Sequence, residues 1–141
     1  MILEVIALTS REMEKNGISA HTRLAANLPV IQGDRVQLQQ VVLNLLINAI
    51  EAMSGMSEGQ RELLISTAKT NAGVVVSVRD SGPGLAPEGI ERLFESFYTT
   101  KLGGLGMGLS ICRSIIEAHG GRLWARANEP RGAVFQFRLT A

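Results

Sequence analysis

Asp34-Arg35-Val36-Gln37-Leu38-Gln39-Gln40-Val41-Val42-Leu43-Asn44-Leu45-Leu46-Ile47-Asn48-Ala49-Ile50-Glu51-Ala52-Met53-Ser54 is the stretch that decides the fold. Asp34 has the side chain of a helix N-cap, an acceptor for the first free N–H groups. Behind it Leu38, Val41, Val42, Leu45, Ala49 and Ala52 fall on one helical stripe, and Leu43, Ile47 and Ile50 on another. A helix apolar on most sides belongs in an interior. Yet Gln40, Asn44, Asn48 and Glu51, spaced by four, four and three, run down one seam of it. Buried amides are costly unless they are bonded. The seam is therefore a polar network satisfied by a neighbouring loop, or an oxygen-ligand row for a hard cation such as Mg²⁺. Magnesium takes a few protein oxygens together with substrate phosphates. The helix alone leaves both readings open.

Outward on the N-terminal side, residues 2–15 read as a short helix with Ile2, Val5, Ile6 and Met13 on its apolar face, stopped at Asn16-Gly17. Residues 18–24 alternate, with Ile18, Ala20, Thr22 and Leu24 opposite Ser19, His21 and Arg23, the pattern of a strand. Asn27-Leu28-Pro29 breaks it. On the C-terminal side a loop at Gly55–Gly59 precedes strands over 62–69 and 74–80, joined by the turn Asn71-Ala72-Gly73. From Ser81 to Gly106 the chain is rich in Gly, Pro, Ser and Thr, with one amphipathic turn around Glu91–Phe97. A helix from about Met107 to His119 ends at Gly120-Gly121. Strands over 122–126 and 133–139 close the chain. This order predicts an α+β fold in one domain, residues 1–141: a two-layer sandwich with a mixed five-stranded sheet covered on one face by about three helices. An irregular run of about 25 residues is long for a compact domain, and such runs are typically functional lids or disordered.

Composition bounds the function classes. Of 141 residues, 45% are hydrophobic and 19% charged, enough apolar material for one core. The net charge of +1 gives no electrostatic reason to expect a nucleic-acid partner. A single cysteine, Cys112, builds no disulfide framework and reads as a buried thiol in a reducing compartment. No run of 18 apolar residues predicts a membrane span, and Met1-Ile2-Leu3-Glu4 lacks the basic start of a secretion signal. A cytoplasmic location without membrane contact is the expectation.

Two further features carry chemistry. Val74, Val76, Val78 and Asp80 share one face of their strand, so an acid ends an apolar row. It either serves the turn Asp80-Ser81-Gly82-Pro83-Gly84, or lies at the floor of a pocket as acceptor for an exocyclic amine such as that of adenine. Glycines just beyond would let a flat ring approach the backbone. The second feature is Gly103-Gly104-Leu105-Gly106-Met107-Gly108-Leu109, at the start of a helix. Free N–H groups and the macrodipole make such a turn an anion site. Lys101 lies just upstream. The run fits neither a dinucleotide fingerprint nor a Walker loop. Together the three elements make a nucleotide site in which one part reads the base, one holds a metal and one holds phosphates.

The motifs resemble those of sensor histidine kinases. Residues 34–52 resemble the family's Asn box and Asp80-Ser81-Gly82-Pro83-Gly84 its first Gly box. Phe94-Glu95-Ser96-Phe97-Tyr98-Thr99-Thr100-Lys101 resembles its Phe box. Gly104-Leu105-Gly106-Met107-Gly108-Leu109-Ser110 resembles its second Gly box, followed by the family's His-Gly-Gly at His119-Gly120-Gly121. The likeness covers nearly the whole chain, and its Thr-Thr-Lys form and short lid are closest to the soluble oxygen- and nitrogen-responsive sensor kinases. It implies the Bergerat fold, shared with gyrase, the Hsp90 chaperones and MutL. It also implies ATP and Mg²⁺ as cofactors. Asn48 would ligate Mg²⁺, with Asn44 beside it facing the phosphates. Asp80 would bind the adenine amino group between walls shaped by Gly82 and Gly84. Gly104, Leu105, Gly106, Met107, Gly108 and Leu109 would wrap the triphosphate, with Lys101 reaching it. Asn44, Asn48 and Lys101 would then form the catalytic set.

The resemblance also implies what this chain does not do alone. Where ATP-hydrolysing members carry a water-activating Glu, one turn before the metal-binding Asn, this chain has Asn44, and an amide is no general base. The γ-phosphoryl is thus held for a histidine on a separate dimerisation domain, with a response-regulator receiver domain downstream. His21, in a strand, and His119, at a helix C-terminus, do not fit the acceptor pattern, so the chain is expected to bind ATP without phosphorylating itself. Val134 stands where many relatives carry a Thr near the adenine. Two alternatives stay open: a non-catalytic ATP-binding module that reports nucleotide state through its lid, residues 86–103, and a serine kinase of the anti-sigma-factor type.

Overall fold

A computed structural model describes residues 2–26, 28, 31, 33–54, 59–71, 73–82, 108–128 and 131–140. Three helices and five strands follow in the order α1 (Ile2–Lys15), β1 (Ser19–Arg23), α2 (Arg35–Ser54), β2 (Glu62–Lys69), β3 (Gly73–Asp80), α3 (Gly108–Ala118), β4 (Arg122–Ala127) and β5 (Ala133–Thr140). The strands form one sheet in the order β1-β2-β3-β5-β4. β1 runs parallel to β2, and the other pairs are antiparallel. The sheet is mixed, as the sequence predicts, and the element boundaries agree within a residue or two.

Alternation along the strands builds one wall of the core. Leu63 and Ile65 of β2, Val74, Val76 and Val78 of β3, and Phe135, Phe137 and Leu139 of β5 are buried on one face. Registers Ile65↔Val78 and Val78↔Phe135 align these rows side by side. The helices lie on that face. α2 brings Leu38, Val41, Val42, Leu45, Leu46, Ala49, Ile50 and Met53 into the core, and α3 brings Cys112 and Ile116. α1 contributes Val5, Thr9 and Met13, each one turn from the next. Thr9, which apolar patterning passes over, is buried because its hydroxyl donates to the Ile6 carbonyl at 2.9 Å. Ile2 and Ile6 are half-buried at the margin of the core.

Two expectations change. α2 is not buried on all its apolar sides: Val36 and Ile47 are exposed, Gln40 and Glu51 are exposed, and Asn44 and Asn48 are half-buried. The polar seam therefore lies along the rim of the helix layer and not inside it. β1 buries none of its five residues despite its alternating pattern, because it is the edge strand of the sheet. The other face of the sheet carries Ser77, Arg79, Gln136, Arg138 and Trp124, with the Trp124 indole donating to Gln136 Oε1 at 3.0 Å.

Candidate functional site

Asp80 ends the buried row of β3 and is itself only 2% exposed. Its Oδ1 accepts two backbone N–H bonds, from Gly82 at 2.9 Å and Ala133 at 3.2 Å. Neither falls on Oδ2, and no cation pairs with Asp80 among the described residues. Burial pushes its pKa up from the ordinary 3.8, against the pull of these two bonds. The geometry bears on the first of the two sequence readings, the turn. One carboxylate oxygen closes the turn, and no described donor reaches the other.

The surroundings fix this arrangement from three sides. Ser81 Oγ donates to Gln60 O at 2.7 Å and accepts from Glu62 N at 2.8 Å, which ties the turn to the start of β2. Asn128 Nδ2 donates to Asp80 O at 3.0 Å, and Asn128 N donates to Gly132 O at 3.0 Å, so the β4–β5 hairpin packs over the acid. Gly132 has φ +105, and a Cβ there would stand 2.0 Å from Asp80 O. Only glycine fits both the conformation and the approach. A Cβ on Gly82 would meet Asp80 Oδ1 at 3.1 Å, Ala52 O at 3.5 Å and Met53 Cγ at 3.5 Å. The first Gly box and the end of the Asn-box helix are thereby neighbours, as the resemblance requires.

Asn128, Gly132 and Ala133 hold the acid but were not among the candidates from sequence. The signal was the glycine of the β4–β5 turn. Val134 needs correction. It pairs with Arg79 and Arg126, so it points to the face of the sheet away from Asp80, whereas Ala133 shares Asp80's face and bonds to it. Strand alternation makes Ala133, and not Val134, the position on Asp80's face.

Asp34 caps α2 as predicted: Gln37 N donates to its Oδ1 at 3.1 Å. α3 packs antiparallel on α2. Cys112 Sγ donates to Val41 O at 3.9 Å, and seven residues on, His119 meets Asp34, seven residues back. The Asn44 side chain hydrogen-bonds to the Cys112 thiol, whose pKa burial pushes up to about 11. Cys112 is thus the buried, unreactive thiol expected. Gly108, one turn before Cys112, opens α3 with free space where a Cβ would be, and Leu109 is half-buried against the core. These contacts bring Asn44 and the start of α3 to one end of the helix pair. Gly84, Lys101, Gly104, Leu105, Gly106 and Met107 lie outside the described residues, as do the Phe box, the lid and the turn around Glu91–Phe97.

The two histidines differ in their surroundings. His21 is exposed on edge strand β1. Both ring nitrogens of His119 are engaged: Nδ1 with Ile115 O at 2.8 Å, Nε2 with Asp34 N at 3.0 Å. A groove of about 700 Å³ reaches Asp80 and Ser81 from the opposite side, but its walls include His21, Arg23, Leu64 and Arg79 on the open face, away from the Asp80 carboxylate. No cluster of three His, Cys, Asp or Glu side chains suited to a metal occurs among the described residues. No described helix is long and apolar enough to cross a membrane.

An α+β sandwich with a buried acid at a strand end, an asparagine-bearing helix beside it and a glycine-led helix packed on that helix defines a nucleotide-binding domain of the Bergerat fold. The chain belongs to the histidine kinase-, DNA gyrase B- and HSP90-like ATPase family, whose profile matches residues 33–141. Among curated relatives, it is 41% identical over 137 residues to the sensor histidine kinase TmoS of Ectopseudomonas mendocina, covering 96% of this chain and 14% of TmoS. It is 42% identical over 142 residues to the sensor protein FixL of Bradyrhizobium diazoefficiens, covering 100% of this chain and 28% of FixL. The chain thus spans well under a third of these relatives. Among solved structures, the nucleotide-free catalytic domain of histidine kinase ThkA superposes with a TM-score of 0.86 at 38% identity, over 99% of this chain and 89% of that one. ThkA in complex with the response regulator TrrA gives 0.83 at 35% identity, over 99% and 39%. Full-length ShkA in complex with AMPPNP gives 0.84 at 30% identity, over 99% and 30%.

Proposed function

We propose that this chain is the ATP-binding catalytic domain of a two-component sensor histidine kinase, which presents the γ-phosphoryl of ATP to a histidine on a separate dimerisation domain. The observation that carries the reading is Asp80: a buried carboxylate, anchored through one oxygen and with the other reached by no described donor. An adenine amino group would donate to it. Such a bond, made to a charged acceptor, is stronger than a neutral one.

The remaining roles follow from position. Gly82 leaves room for the base beside Ala52 and Met53. Asn48 would hold Mg²⁺ through its carboxamide oxygen, and Asn44, whose side chain also bonds the Cys112 thiol, would face the phosphates; both are half-buried on α2. Mg²⁺, when bound, supplies charge neutralisation on the phosphate oxygens. Gly108 and Leu109, with Gly84, Lys101, Gly104, Leu105, Gly106 and Met107, would wrap the triphosphate at the N-terminus of α3. Asn44 cannot take a proton from water, so the site favours positioning for an external nucleophile over hydrolysis. The nucleotide analogue on ShkA and the response regulator on ThkA support ATP as ligand and a receiver domain as downstream partner.

The test supplies Mg-ATP and a dimerisation-histidine domain from a related sensor kinase in trans. Acid-labile phosphate on that domain, absent when this chain is omitted, is the expected result. Nucleotide binding without transfer would favour the non-catalytic module. Acid-stable phosphoserine on an added anti-sigma-factor antagonist protein would favour the serine kinase.

A further inference from the structure

We infer that His119 is a positioning residue, whose neutral imidazole bridges α3 to the N-cap of α2 and so fixes the glycine-led start of α3 against the Asn-box helix. The inference rests on the nucleotide-binding reading above and assigns that site a support outside it.

The two partners of the ring settle its tautomer. Ile115 O is an acceptor, so Nδ1 carries the hydrogen and donates at 2.8 Å. The Asp34 N–H is a donor, so Nε2 must present its lone pair, at 3.0 Å. The first bond is local to α3. The second joins residues 85 positions apart in sequence. Two further features hold the ring in place. The helix stop at Gly120, with φ +77, and the bond from Gly121 N to Ile116 O at 2.9 Å fix the turn that carries His119. Gly33 supplies the seat: a Cβ there would stand 2.5 Å from His119 Cδ2 and 2.9 Å from Nε2. The ring thus fills the space that Gly33 leaves. A C-terminal capping role, which the sequence suggests, accounts only for the Nδ1 bond.

The bridge acts on the site through a lever. α3 also meets α2 where Cys112 contacts Val41 O and the Asn44 side chain, between the two ends. His119 lies seven residues beyond Cys112, roughly 10 Å along the axis, and Gly108 four residues before it, roughly 6 Å. A rotation about Cys112 that lets the His119 end drift by about 1 Å swings Gly108 by about 0.6 Å. Binding constellations need their groups held within about 0.5 Å. Releasing the bridge therefore displaces the phosphate end of α3 enough to weaken binding while the apolar contacts of Ile116 keep the domain folded.

Four proteins test this: wild type, His119→Gln, His119→Asn and Gly33→Ala. Gln places an acceptor oxygen where Nε2 was, keeping the bridge and losing the Nδ1 bond. Asn does the reverse. Gly33→Ala displaces the ring without changing it. Mg-ADP is titrated calorimetrically into each, and amide exchange at Asp34 is measured alongside thermal unfolding. We expect wild type and His119→Gln to bind alike, with the Asp34 amide protected. His119→Asn and Gly33→Ala should bind about three- to tenfold more weakly, with that amide exposed. Unchanged affinity in His119→Asn overturns the inference. So does equal weakening in the Gln and Asn variants, which would leave only capping or packing. A wild type that binds no Mg-ADP overturns the nucleotide reading itself, a result distinct from binding that ignores the bridge.

Discussion

Replacing Asp80 by Asn separates what the acid does for the fold from what it does for the ligand. Asn keeps an oxygen that can accept from Gly82 N and Ala133 N, as Oδ1 does now at 2.9 and 3.2 Å. The turn should survive. At the other corner an NH₂ replaces Oδ2, so a donor faces the adenine amino donor. A hydrogen bond to a charged group is worth about 1.5–3 kcal/mol, which at 1.4 kcal/mol per decade is about a 10- to 150-fold loss of Mg-ADP affinity. Stability should move the other way. Burial raises the pKa of Asp80, so ionising it disfavours the native state. Between 3.8 and the raised value the native chain holds a proton that the unfolded chain releases, and wild-type stability falls as pH rises through that window. Asn carries no such penalty. Without nucleotide, Asp80→Asn should match or exceed wild type in thermal midpoint at neutral pH, with the difference shrinking toward pH 4. Calorimetric titration and thermal scans from pH 4 to 8 measure both. A variant that unfolds markedly earlier while binding nucleotide normally would refute the reasoning, because Asp80 would then be a structural acid.

Three further predictions follow from the same geometry. Asn48→Ala should bind ADP almost as wild type in EDTA but lose the increment that Mg²⁺ adds, a difference read by titrating with and without the metal. Gly132→Ala forces a Cβ to 2.0 Å from Asp80 O at φ +105, so it should lose about 1–3 kcal/mol in urea unfolding or fail to fold. Cys112, buried with its thiol pushed up to about 11, should resist a maleimide in native protein at pH 7 and react at once in guanidinium.

The legible part of the fold was the part set by local periodicity. The apolar spacing of α2, the valine row of β3 and the stop at Gly120 each act within one element, and each appears where the sequence puts it. Asp80 was legible for the same reason, as an acid in phase with Val74, Val76 and Val78. What escaped was pairing between elements. Whether Ala133 or Val134 meets Asp80 depends on the register of β5 against β3, which no window of sequence contains. The full exposure of β1 depends on its place at the sheet edge, and the rim position of Asn44 and Asn48 on how α2 rolls against its neighbours. His119 read as a local cap because its second partner, Asp34, is 85 residues away.

The polar groups that join the helices differ from Asp80 in one respect. Cys112 and His119 find their partners inside the chain, so they stabilise the frame whether or not a ligand is present. Asp80 has one oxygen whose partner the described chain does not supply. No buried side-chain oxygen among the described residues lacks a hydrogen bond, so this oxygen is not an orphan in the free domain. A bond from a ligand to its charge would add about 1.5–3 kcal/mol. A ligand that binds the folded state alone returns stability as RT ln(1 + [L]/Kd), about 2.7 kcal/mol at a hundredfold excess over Kd. The two quantities are of the same size. Nucleotide should therefore raise the thermal midpoint of wild type, and raise that of Asp80→Asn little. The same acid would then account for the dependence of the domain's stability on ligand.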